Sequence, residues 1–291
     1  MLLLGEARPV IQLAPAAIRT IEPVLDAAVR FEHVSFAFED HVVLRDVSFS
    51  MPRGSMTILL GASGSGKSVM LKLMLGLLRP DSGSIIIQGQ AIETLSEPEL
   101  MRVRGDIGML FQEGALFDSL TVAENVGYRL SEELRLPASE VRARVEEVVG
   151  FIGLTDCLDR WPSELSGGQR RRVAIARAMA ARPSLLLFDD PTTGLDPIIA
   201  ETVDDEIIKL RDLEHVTSIV VTHQIRDAVY IATHEAAGTL RRPDMRVAAR
   251  PAARFLVLHD EHIYFEGTID ALLASPDPYL HDFLNMTLPP W

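Results

Sequence analysis

Apolar residues follow two patterns along this chain, alternation with polar residues and continuous runs, and each pattern predicts a different kind of strand. Val29–Phe36 and Val43–Phe49 change character at about every second residue, with the polar stretch Glu39–His41 between them. Such alternation is typical of strands with one buried face, and polar residues between two of them predict a turn. We therefore expect an antiparallel β-hairpin at the start of the folded region.

Further along, the apolar runs are continuous, which predicts strands that are buried on both faces. The runs that we predict to be such strands are Met56–Leu60, Ser184–Asp190 and Thr217–His223, and two further strands are predicted at Ser84–Gly89 and Ile107–Gln112. A second hairpin is expected around Asp260–Glu261. Helical periodicity is found in Val69–Leu75, across residues 119–161 and in Arg170–Ala181. Strands that alternate with helices predict an α/β fold.

The composition narrows the class of protein. With 291 residues, the chain has room for one large α/β domain with a subdomain and appendages. Its 28 basic and 41 acidic residues give a net charge of −13, which argues against a general nucleic-acid binder. The single cysteine, Cys157, excludes an internal disulfide. No apolar run could cross a bilayer, and Met1–Glu6 lacks the basic residues of a signal peptide, so we expect a cytosolic protein.

Residues 61–68 fit the pattern G-x-x-x-x-G-K-[ST], which wraps the phosphates of ATP or GTP. Its glycines allow a sharp turn that points successive N–H groups into one concavity. Lys67 adds a positive charge for the outer phosphates, and Ser68 supplies a hydroxyl for Mg²⁺. The residues that we expect to bind the nucleotide here are Gly61, Ala62, Ser63, Gly64, Ser65, Gly66, Lys67, Ser68 and Val69. For this motif alone, a glycine-rich turn without a ligand is the alternative.

Polar residues follow other predicted strands at their carboxyl ends, where open α/β sheets bind ligands. Gln112 ends one run, Asp189 and Asp190 end the next, and His223 ends a third. Taken singly, Gln112 could be a surface glutamine and His223 a structural histidine. Between these runs lies Leu165–Gln169, with the sequence Leu-Ser-Gly-Gly-Gln, directly before a predicted helix.

In this order the motifs resemble those of the ABC-type ATPases, the nucleotide-binding subunits of ATP-binding-cassette transporters. The resemblance covers about residues 29–234 and 254–268, and the Leu-Ser-Gly-Gly-Gln run is highly specific to that family. It implies a P-loop NTPase (RecA-like) core with an antiparallel β subdomain and an α-helical signature subdomain. It also implies ATP and Mg²⁺ as ligands, and a head-to-tail homodimer with two composite sites.

The resemblance also suggests how the chain is divided. Residues 1–28 are an N-terminal extension, residues 29–268 are the ATPase domain, and residues 269–291 are a C-terminal tail that resembles a terminal helix. Within the domain, the helical subdomain spans about 113–167 and a basic insertion spans about 235–253. The extension could be a docking arm or poorly ordered. The insertion could be a basic flap near anionic lipid or a solvated loop.

Matching the motifs residue by residue implies a role for each. Asp189 would hold Mg²⁺ opposite Ser68, with Gln112 completing the metal shell and sensing the γ-phosphate. His223 would cap the far side of that phosphate, and Asp196 would cross toward the other subunit. The residues implied to hold a phosphate of the ATP bound by the opposite protomer are Ser166, Gly167, Gly168 and Gln169.

Two positions differ from the usual residue of the family. Phe38 lies where an aromatic ring, more often tyrosine, stacks on adenine, whereas Phe36 alternates like a core residue. Asp190 stands where a glutamate is usually the general base, and its carboxylate is one methylene shorter. It is either a slower but competent base or the mark of a site that binds ATP and hydrolyses it poorly. We favour a competent base because the other implied catalytic residues are in place: Lys67, Gln112 and His223.

The segment around Gln112 narrows the type of transporter. Residues 108–126 resemble the ATPases of Mce- and Mla-type lipid transport systems, where Leu-Phe-Gln-x-x-Ala-Leu-Phe is typical, and residues 190–197 fit that group too. Ala115–Phe117 lies where such ATPases contact the coupling helix of a permease. The alternative is that these three side chains belong to the core of the helical subdomain.

The lipid resemblance implies a set of partners and a location. The implied partners are an integral-membrane permease dimer and an Mce-domain lipid-binding protein, and no nucleic acid is expected to bind. The ATPase would form a homodimer at the cytoplasmic face of the inner membrane. A polar-solute importer ATPase and a soluble ABC ATPase of DNA repair are the alternatives. The soluble class places long coiled coils between P-loop and signature, whereas here only about a hundred residues without a sustained heptad separate them.

Overall fold

The computed structural model describes residues 27–214, 216–236 and 253–285, and every structural statement below refers to these ranges. The predicted N-terminal extension lies outside them except for Ala27 and Ala28, as do most of the basic insertion and residues 286–291. The roles suggested for those segments therefore stay predictions, and so do the domain boundaries.

Most predicted strands and helices are present with bounds that differ by a few residues, but the predicted helical stretch 119–161 forms two α-helices, and the helices Glu97–Gly105 and Pro197–Lys209 were not predicted. The strands are β1 (Ala27–Phe38), β2 (His41–Pro52), β3 (Met56–Leu60), β4 (Ser82–Ile87), β5 (Gln90–Ala91), β6 (Ile107–Leu110), β7 (Leu185–Asp189), β8 (Thr217–Thr222), β9 (Arg254–His259) and β10 (His262–Gly267). The α-helices are α1 (Lys67–Met74), α2 (Glu97–Gly105), α3 (Val122–Glu132), α4 (Ala138–Phe151), α5 (Gly167–Ala180), α6 (Pro197–Lys209), α7 (Ile225–Thr233), α8 (Ile269–Leu273) and α9 (Pro278–Asn285). A π-helical turn, Leu210–Glu214, extends α6.

The first sheet is antiparallel and has the strand order β2-β1-β4-β5. It contains the predicted hairpin, in which β1 pairs with β2 and the chain reverses at Glu39 and Asp40. Phe31 and Phe49 stack inside the hairpin with their ring centroids 4.7 Å apart. Because buried aromatic side chains contribute much of the apolar stabilisation of such a sheet, this pair holds β1 on β2.

The second sheet lies at the centre of the molecule and has the order β10-β9-β3-β8-β7-β6. Its strands run parallel to their neighbours, except that β10 pairs antiparallel with β9. All five residues of β3 are buried, which accounts for the continuous apolar run there. Since parallel strands end at the same edge of a sheet, the loops after Leu60, Asp189 and Thr222 meet at one edge.

Helices α3, α4 and α5 pack together as a helical unit, and their apolar residues share a core with the central sheet. The loop before α3 is attached firmly to this unit. Fully buried Asn125 accepts from the Phe117 N–H at 2.8 Å and donates to the carbonyl oxygens of Phe117 and Leu120, each at 3.0 Å. The same side-chain nitrogen also lies 3.0 Å from the Thr121 carbonyl oxygen, so three carbonyl oxygens share its two N–H hydrogens and residues 117–121 are held in one conformation.

The C-terminal residues of the described part form α9, which packs on the β9–β10 hairpin. The Tyr279 ring stacks on His259 with centroids 3.6 Å apart, and the Tyr264 hydroxyl donates to Asp277 at 2.8 Å. A terminal helix is therefore present within the predicted tail. None of the helices in the three described ranges combines the length and apolarity needed to span a membrane.

A buried carboxyl group lies on α6, close to α7. Asp204 is 1% exposed, and neither of its carboxyl oxygens has a hydrogen-bond partner among the described residues. Burial, and then the nearby carboxylate of Asp227, raise the pKa of Asp204 to about 9. The folded chain thus keeps a proton that the unfolded chain loses above about pH 4. Between these two values the stability contributed at this position falls as the pH rises.

We expect Asp204→Asn to raise the free energy of unfolding near pH 8 by roughly 2 kcal/mol and to flatten its pH dependence, because an amide is neutral without a proton. Urea unfolding at about pH 5.5 and about pH 8 measures both effects. Asp270→Asn, which changes an exposed carboxylate on α8 that does not act on Asp204, is the control and should keep the wild-type pH dependence. Equal pH dependence in Asp204→Asn and the wild type would contradict the raised pKa.

Candidate functional site

The predicted phosphate loop connects the buried end of β3 to the start of α1. Its chain turns through left-handed conformations at Gly64 (φ 80°) and Gly66 (φ 105°), which favour glycine. Gly61 also lies against β9, since a Cβ atom there would come within 2.7 Å of the Leu258 carbonyl oxygen. The loop can take this path only because these positions carry no side chain.

Lys67 lies inside the loop and binds its backbone. Its Nζ donates to the carbonyl oxygens of Gly61 at 2.8 Å and Ala62 at 2.9 Å. Burial lowers the pKa of Lys67, while the carboxylates of Asp190 and Asp189 oppose that shift. A buried ammonium group beside glycine N–H groups makes this loop a site for an anion with several oxygens.

Ser68 and Asp189 meet across the loop. The Ser68 hydroxyl donates to Oδ1 of Asp189 at 3.1 Å. Burial raises the pKa of Asp189, and the hydrogen bond from Ser68 partly offsets this shift. A hydroxyl and a carboxylate at this distance are the hard oxygen donors that Mg²⁺ prefers, so the pair fits that ion.

Asp190 and His223, which follow neighbouring strands, contact each other directly. Oδ1 of Asp190 accepts from the backbone N–H of His223 at 3.2 Å and lies 2.9 Å from its Nδ1. Asp190 itself has a left-handed backbone (φ 45°), a conformation that Asp tolerates better than most residues. The short carboxylate is therefore held by histidine, and the other imidazole nitrogen is not involved in this contact.

A buried threonine in the loop after β7 bonds that loop to α7. The hydroxyl of Thr192 donates to Asp227 at 2.5 Å and accepts from the side-chain amide of Gln224 at 3.1 Å. Gln224 directly follows His223, so the loops after β7 and β8 are joined on this side too. The sequence analysis missed Thr192 and Asp227. The sequence does not show that these two polar residues are buried, because their burial depends on the packing of α7 against the loop after β7.

Gln112 lies on the loop after β6, which ends at Leu110 rather than at the predicted Gln112. Its side chain is exposed, and no hydrogen bond joins it to Ser68 or Asp189 in the described part of the chain. The backbone of this loop is held by α5, because Arg171 donates to the Gln112 carbonyl oxygen and Arg177 donates to that of Ala115. The sequence analysis did not single out these arginines, although basic residues on an otherwise apolar helix were a signal.

Ser166 and Gln169 form the N-terminal cap of α5, which starts three residues before the predicted helix. The Ser166 hydroxyl accepts from the Gln169 N–H at 3.2 Å, and the Gln169 side chain accepts from the Ser166 N–H at 2.9 Å. Gly168 allows α5 to pass α6, since a Cβ atom there would come within 2.2 Å of Ile199. Within the described ranges, no hydrogen bond joins Ser166–Gln169 to the phosphate loop of the same chain.

The two remaining predicted residues lie at exposed positions. Asp196 caps α6 by accepting from the N–H groups of Ile198 at 3.2 Å and Ile199 at 3.1 Å. Phe38 is 47% exposed and contacts the edge of Phe36, with ring centroids 4.8 Å apart. Phe36 is buried, as expected of a core residue. The exposed ring of Phe38 is open to stacking on a planar ligand.

A family model described as "ABC transporter" matches residues 44–193. The intermembrane phospholipid transport system ATP-binding protein MlaF of Escherichia coli (strain K12) is 36% identical over 252 residues, covering 87% of this chain and 86% of that protein. The chain belongs to the ABC transporter family.

Solved structures of other ABC proteins share the fold. CbiO1 of Clostridium perfringens, part of the ABC transporter complex cbiONQ, matches with a TM-score of 0.74 and 25% identity over 90% of this chain and 96% of its own. The ATP-binding cassette MJ0796, a dimer in a post-hydrolysis state bound to ADP and Pi, matches with a TM-score of 0.68 and 30% identity over 83% and 98%. The predicted fold, a P-loop NTPase core with an antiparallel β subdomain and a helical signature subdomain, is confirmed. As an ABC ATPase, this chain binds and hydrolyses ATP.

Proposed function

We propose that this ABC ATPase powers the transport of phospholipid through a separate membrane permease. The observation that carries the proposal is the likeness to MlaF, a phospholipid transport ATP-binding protein, which extends over 86% of the length of that relative. The Mce- and Mla-like segment at residues 108–126 supports the same assignment. A polar-solute importer is the rival function, and no contact in the described residues favours it.

The phosphate loop would bind the ATP phosphates, with Lys67 at the outer ones. Ser68 and Asp189, already 3.1 Å apart, would hold Mg²⁺, and the exposed side chain of Gln112 would complete the metal shell. Mg²⁺ bound there would neutralise charge on the β- and γ-phosphates. Asp190 would accept the proton of the attacking water, and the histidine that it contacts, His223, would face the γ-phosphate.

The site of one chain would be completed by a second copy. Ser166–Gln169 forms the N-terminus of α5 and has no hydrogen bond to its own phosphate loop among the described residues, and a helix N-terminus attracts phosphate. Asp196 and the neighbouring exposed side chain of Ile198 lie where a second protomer would contact the first. A head-to-tail homodimer would therefore place each α5 N-terminus against the ATP of the partner.

The permease would dock beside the Gln112 loop. Phe117 is 43% exposed and packs against the exposed ring of Tyr128, with centroids 4.7 Å apart. Leu116 is half-buried and packs on the core, as the core interpretation expects, and Phe117 would be the side chain that contacts the permease. Two exposed aromatic rings side by side suit a hydrophobic helix of a membrane partner. An Mce-domain protein and a position at the cytoplasmic face of the inner membrane complete the proposal.

Purification of the tagged full-length chain from solubilised membranes tests the partners and the cargo together. We expect a permease and an Mce-domain protein to co-purify, and ATPase activity of the reconstituted complex to rise several-fold in phospholipid vesicles. Phe117→Ala should weaken recovery of the permease by about tenfold, because an aromatic anchor contributes roughly 1–2 kcal/mol at an interface.

Leu134→Ala, which removes an exposed apolar side chain further along the helical unit, is the matched control and should leave recovery unchanged. Recovery of a solute-binding importer instead of an Mce-domain protein would contradict the lipid assignment. Stimulation by DNA rather than by lipid would favour the soluble class of ABC ATPase.

A further inference from the structure

A buried arginine on α5 contacts two loops of the ATPase site at once. Arg171 lies two residues after Gln169 and is 7% exposed. Its Nη1 donates to the carbonyl oxygen of Phe111 at 3.1 Å and to that of Gln112. Its Nη2 donates to the carbonyl oxygen of Thr193 at 3.2 Å. One guanidinium therefore joins the Gln112 loop to the loop between Asp190 and Asp196.

Burial of the Arg171 guanidinium costs free energy, which its hydrogen bonds must offset. Burial lowers the pKa of Arg171, with the charge of Glu113 opposing the shift, although an arginine side chain stays charged. Removing a cation from water costs several kcal/mol, which only well-placed hydrogen bonds offset. All three bonds of Arg171 go to backbone carbonyl oxygens, so they bind loops regardless of the side chains those loops carry.

The Gln112 loop has a second anchor on the same helix. Arg177 donates to the carbonyl oxygens of Gly114 at 2.9 Å and Ala115 at 2.7 Å, and its guanidinium lies 5.7 Å from the Phe117 ring centroid. The loop from Phe111 to Ala115 is thus attached to α5 at both ends. The backbone of this loop is therefore held by the helix that begins at the signature residues Ser166–Gln169.

The Thr193 loop belongs to a different part of the molecule. Its neighbour Thr192 is bonded to Asp227 on α7, and Asp190 is bonded to His223 after β8. These contacts attach the loop to the parallel sheet and its helices. Arg171 is therefore located where the helical unit meets the part of the core that carries the catalytic carboxylate.

We propose that Arg171 is a positioning residue for ATP hydrolysis, which fixes the Gln112 loop and the Asp190–Asp196 loop relative to each other through one guanidinium. The proposal rests on the roles given above to Gln112 and Asp190. The planar fork is essential to it, because an ammonium group is a single point that does not span two loops. Arg171 touches no ATP in this scheme and acts through the residues that do.

The test compares Arg171→Lys and Arg171→Gln with Arg172→Lys in the full-length ATPase bound to its permease. Arg172 is the matched control because its guanidinium donates to the Ile152 carbonyl oxygen of the helical unit and, among the described residues, has no hydrogen bond to either loop. Both Arg171 variants should lower kcat about tenfold and leave the KM for ATP within about twofold, since misplacement of catalytic groups affects turnover more than binding. The Arg172 variant should keep the wild-type kcat.

Hydrogen exchange supplies a readout that a merely structural role would not change. In both Arg171 variants, the amides of residues 111–113 and 192–194 should exchange faster together, because both loops lose the same partner. The amides of α4 and α5 should exchange at the wild-type rate. In the Arg172 variant, the two loops should keep their wild-type exchange.

Two results would overturn the proposal. One is a kcat within twofold of wild type in both Arg171 variants. The other is a parallel loss of melting temperature and kcat in the Arg171 and Arg172 variants, which would reduce Arg171 to a stabilising residue. If wild-type ATPase activity does not respond to phospholipid, lipid transport is contradicted but the role of Arg171 is not. The role of Arg171 is judged from the ratio of each variant's kcat to that of the wild type.

Discussion

Replacing Asp190 with asparagine is expected to lower ATP turnover at least about a hundredfold, while the affinity for ATP stays within about threefold. Asparagine keeps the shape of the side chain and an oxygen that can accept from the His223 N–H, a bond of 3.2 Å in the wild-type chain. It cannot accept a proton from water. Single-turnover hydrolysis and equilibrium ATP binding, both with Mg²⁺, separate the two quantities.

Asp190→Glu is the matched variant, since it keeps the carboxylate and adds the methylene usual in the family. We expect it to retain turnover, even though its left-handed backbone at φ 45° suits aspartate better than glutamate. Wild-type steady-state activity in Asp190→Asn would rule out Asp190 as the base. Barely measurable wild-type turnover that Asp190→Glu increases would instead favour the alternative of a slowly hydrolysing site.

Removal of the Lys67 ammonium is expected to weaken ATP binding by about ten- to a hundredfold. Hydrogen bonds to a charged group contribute about 1.5–3 kcal/mol each, and every 1.4 kcal/mol is about tenfold in affinity. Lys67→Ala also frees the carbonyl oxygens of Gly61 and Ala62 and leaves the two nearby aspartates without this cation. The exposed carbonyl oxygens and the uncompensated carboxylates both make the loop more negative, so it repels phosphate.

Fluorescent ATP-analogue titration with the full-length chain measures this loss. Lys72→Ala is the control, because Lys72 is an exposed residue of α1 about one turn further on. It should bind the analogue as tightly as the wild type does. Binding by Lys67→Ala within twofold of wild type would mean that the loop does not hold the outer phosphates.

Most of the fold follows from local patterns, because buried strands and amphipathic helices are marked by their own residues. The strands predicted at Met56–Leu60 and Thr217–His223 match β3 and β8 to within one residue. The order of motifs at strand ends likewise places Lys67, Asp189 and His223 on one edge of the sheet. Strand position and motif order can be predicted because they depend on residues that are close together in the sequence.

Other features depend on contacts between distant segments and were not visible in the sequence. Nothing adjacent to Asp204 marks it as buried, since it lies on an acidic stretch and is enclosed only once the chain has packed around α6. Arg171 reads as one of three consecutive basic residues after the signature. Its burial depends on two loops that lie about 60 and 20 residues away along the chain.

The position of β3 in the central sheet has a consequence for how the chain is made. Its hydrogen-bonding neighbours are β8 and β9, which come from the last third of the sequence. A growing polypeptide therefore carries Gly61–Ser68 for most of its synthesis without the two strands that flank it. Since pairing of distant segments is the slow part of folding, the cradle for ATP forms late, after Leu258 has left the ribosome. We therefore expect ATP to stabilise the cassette once β8 and β9 flank the loop.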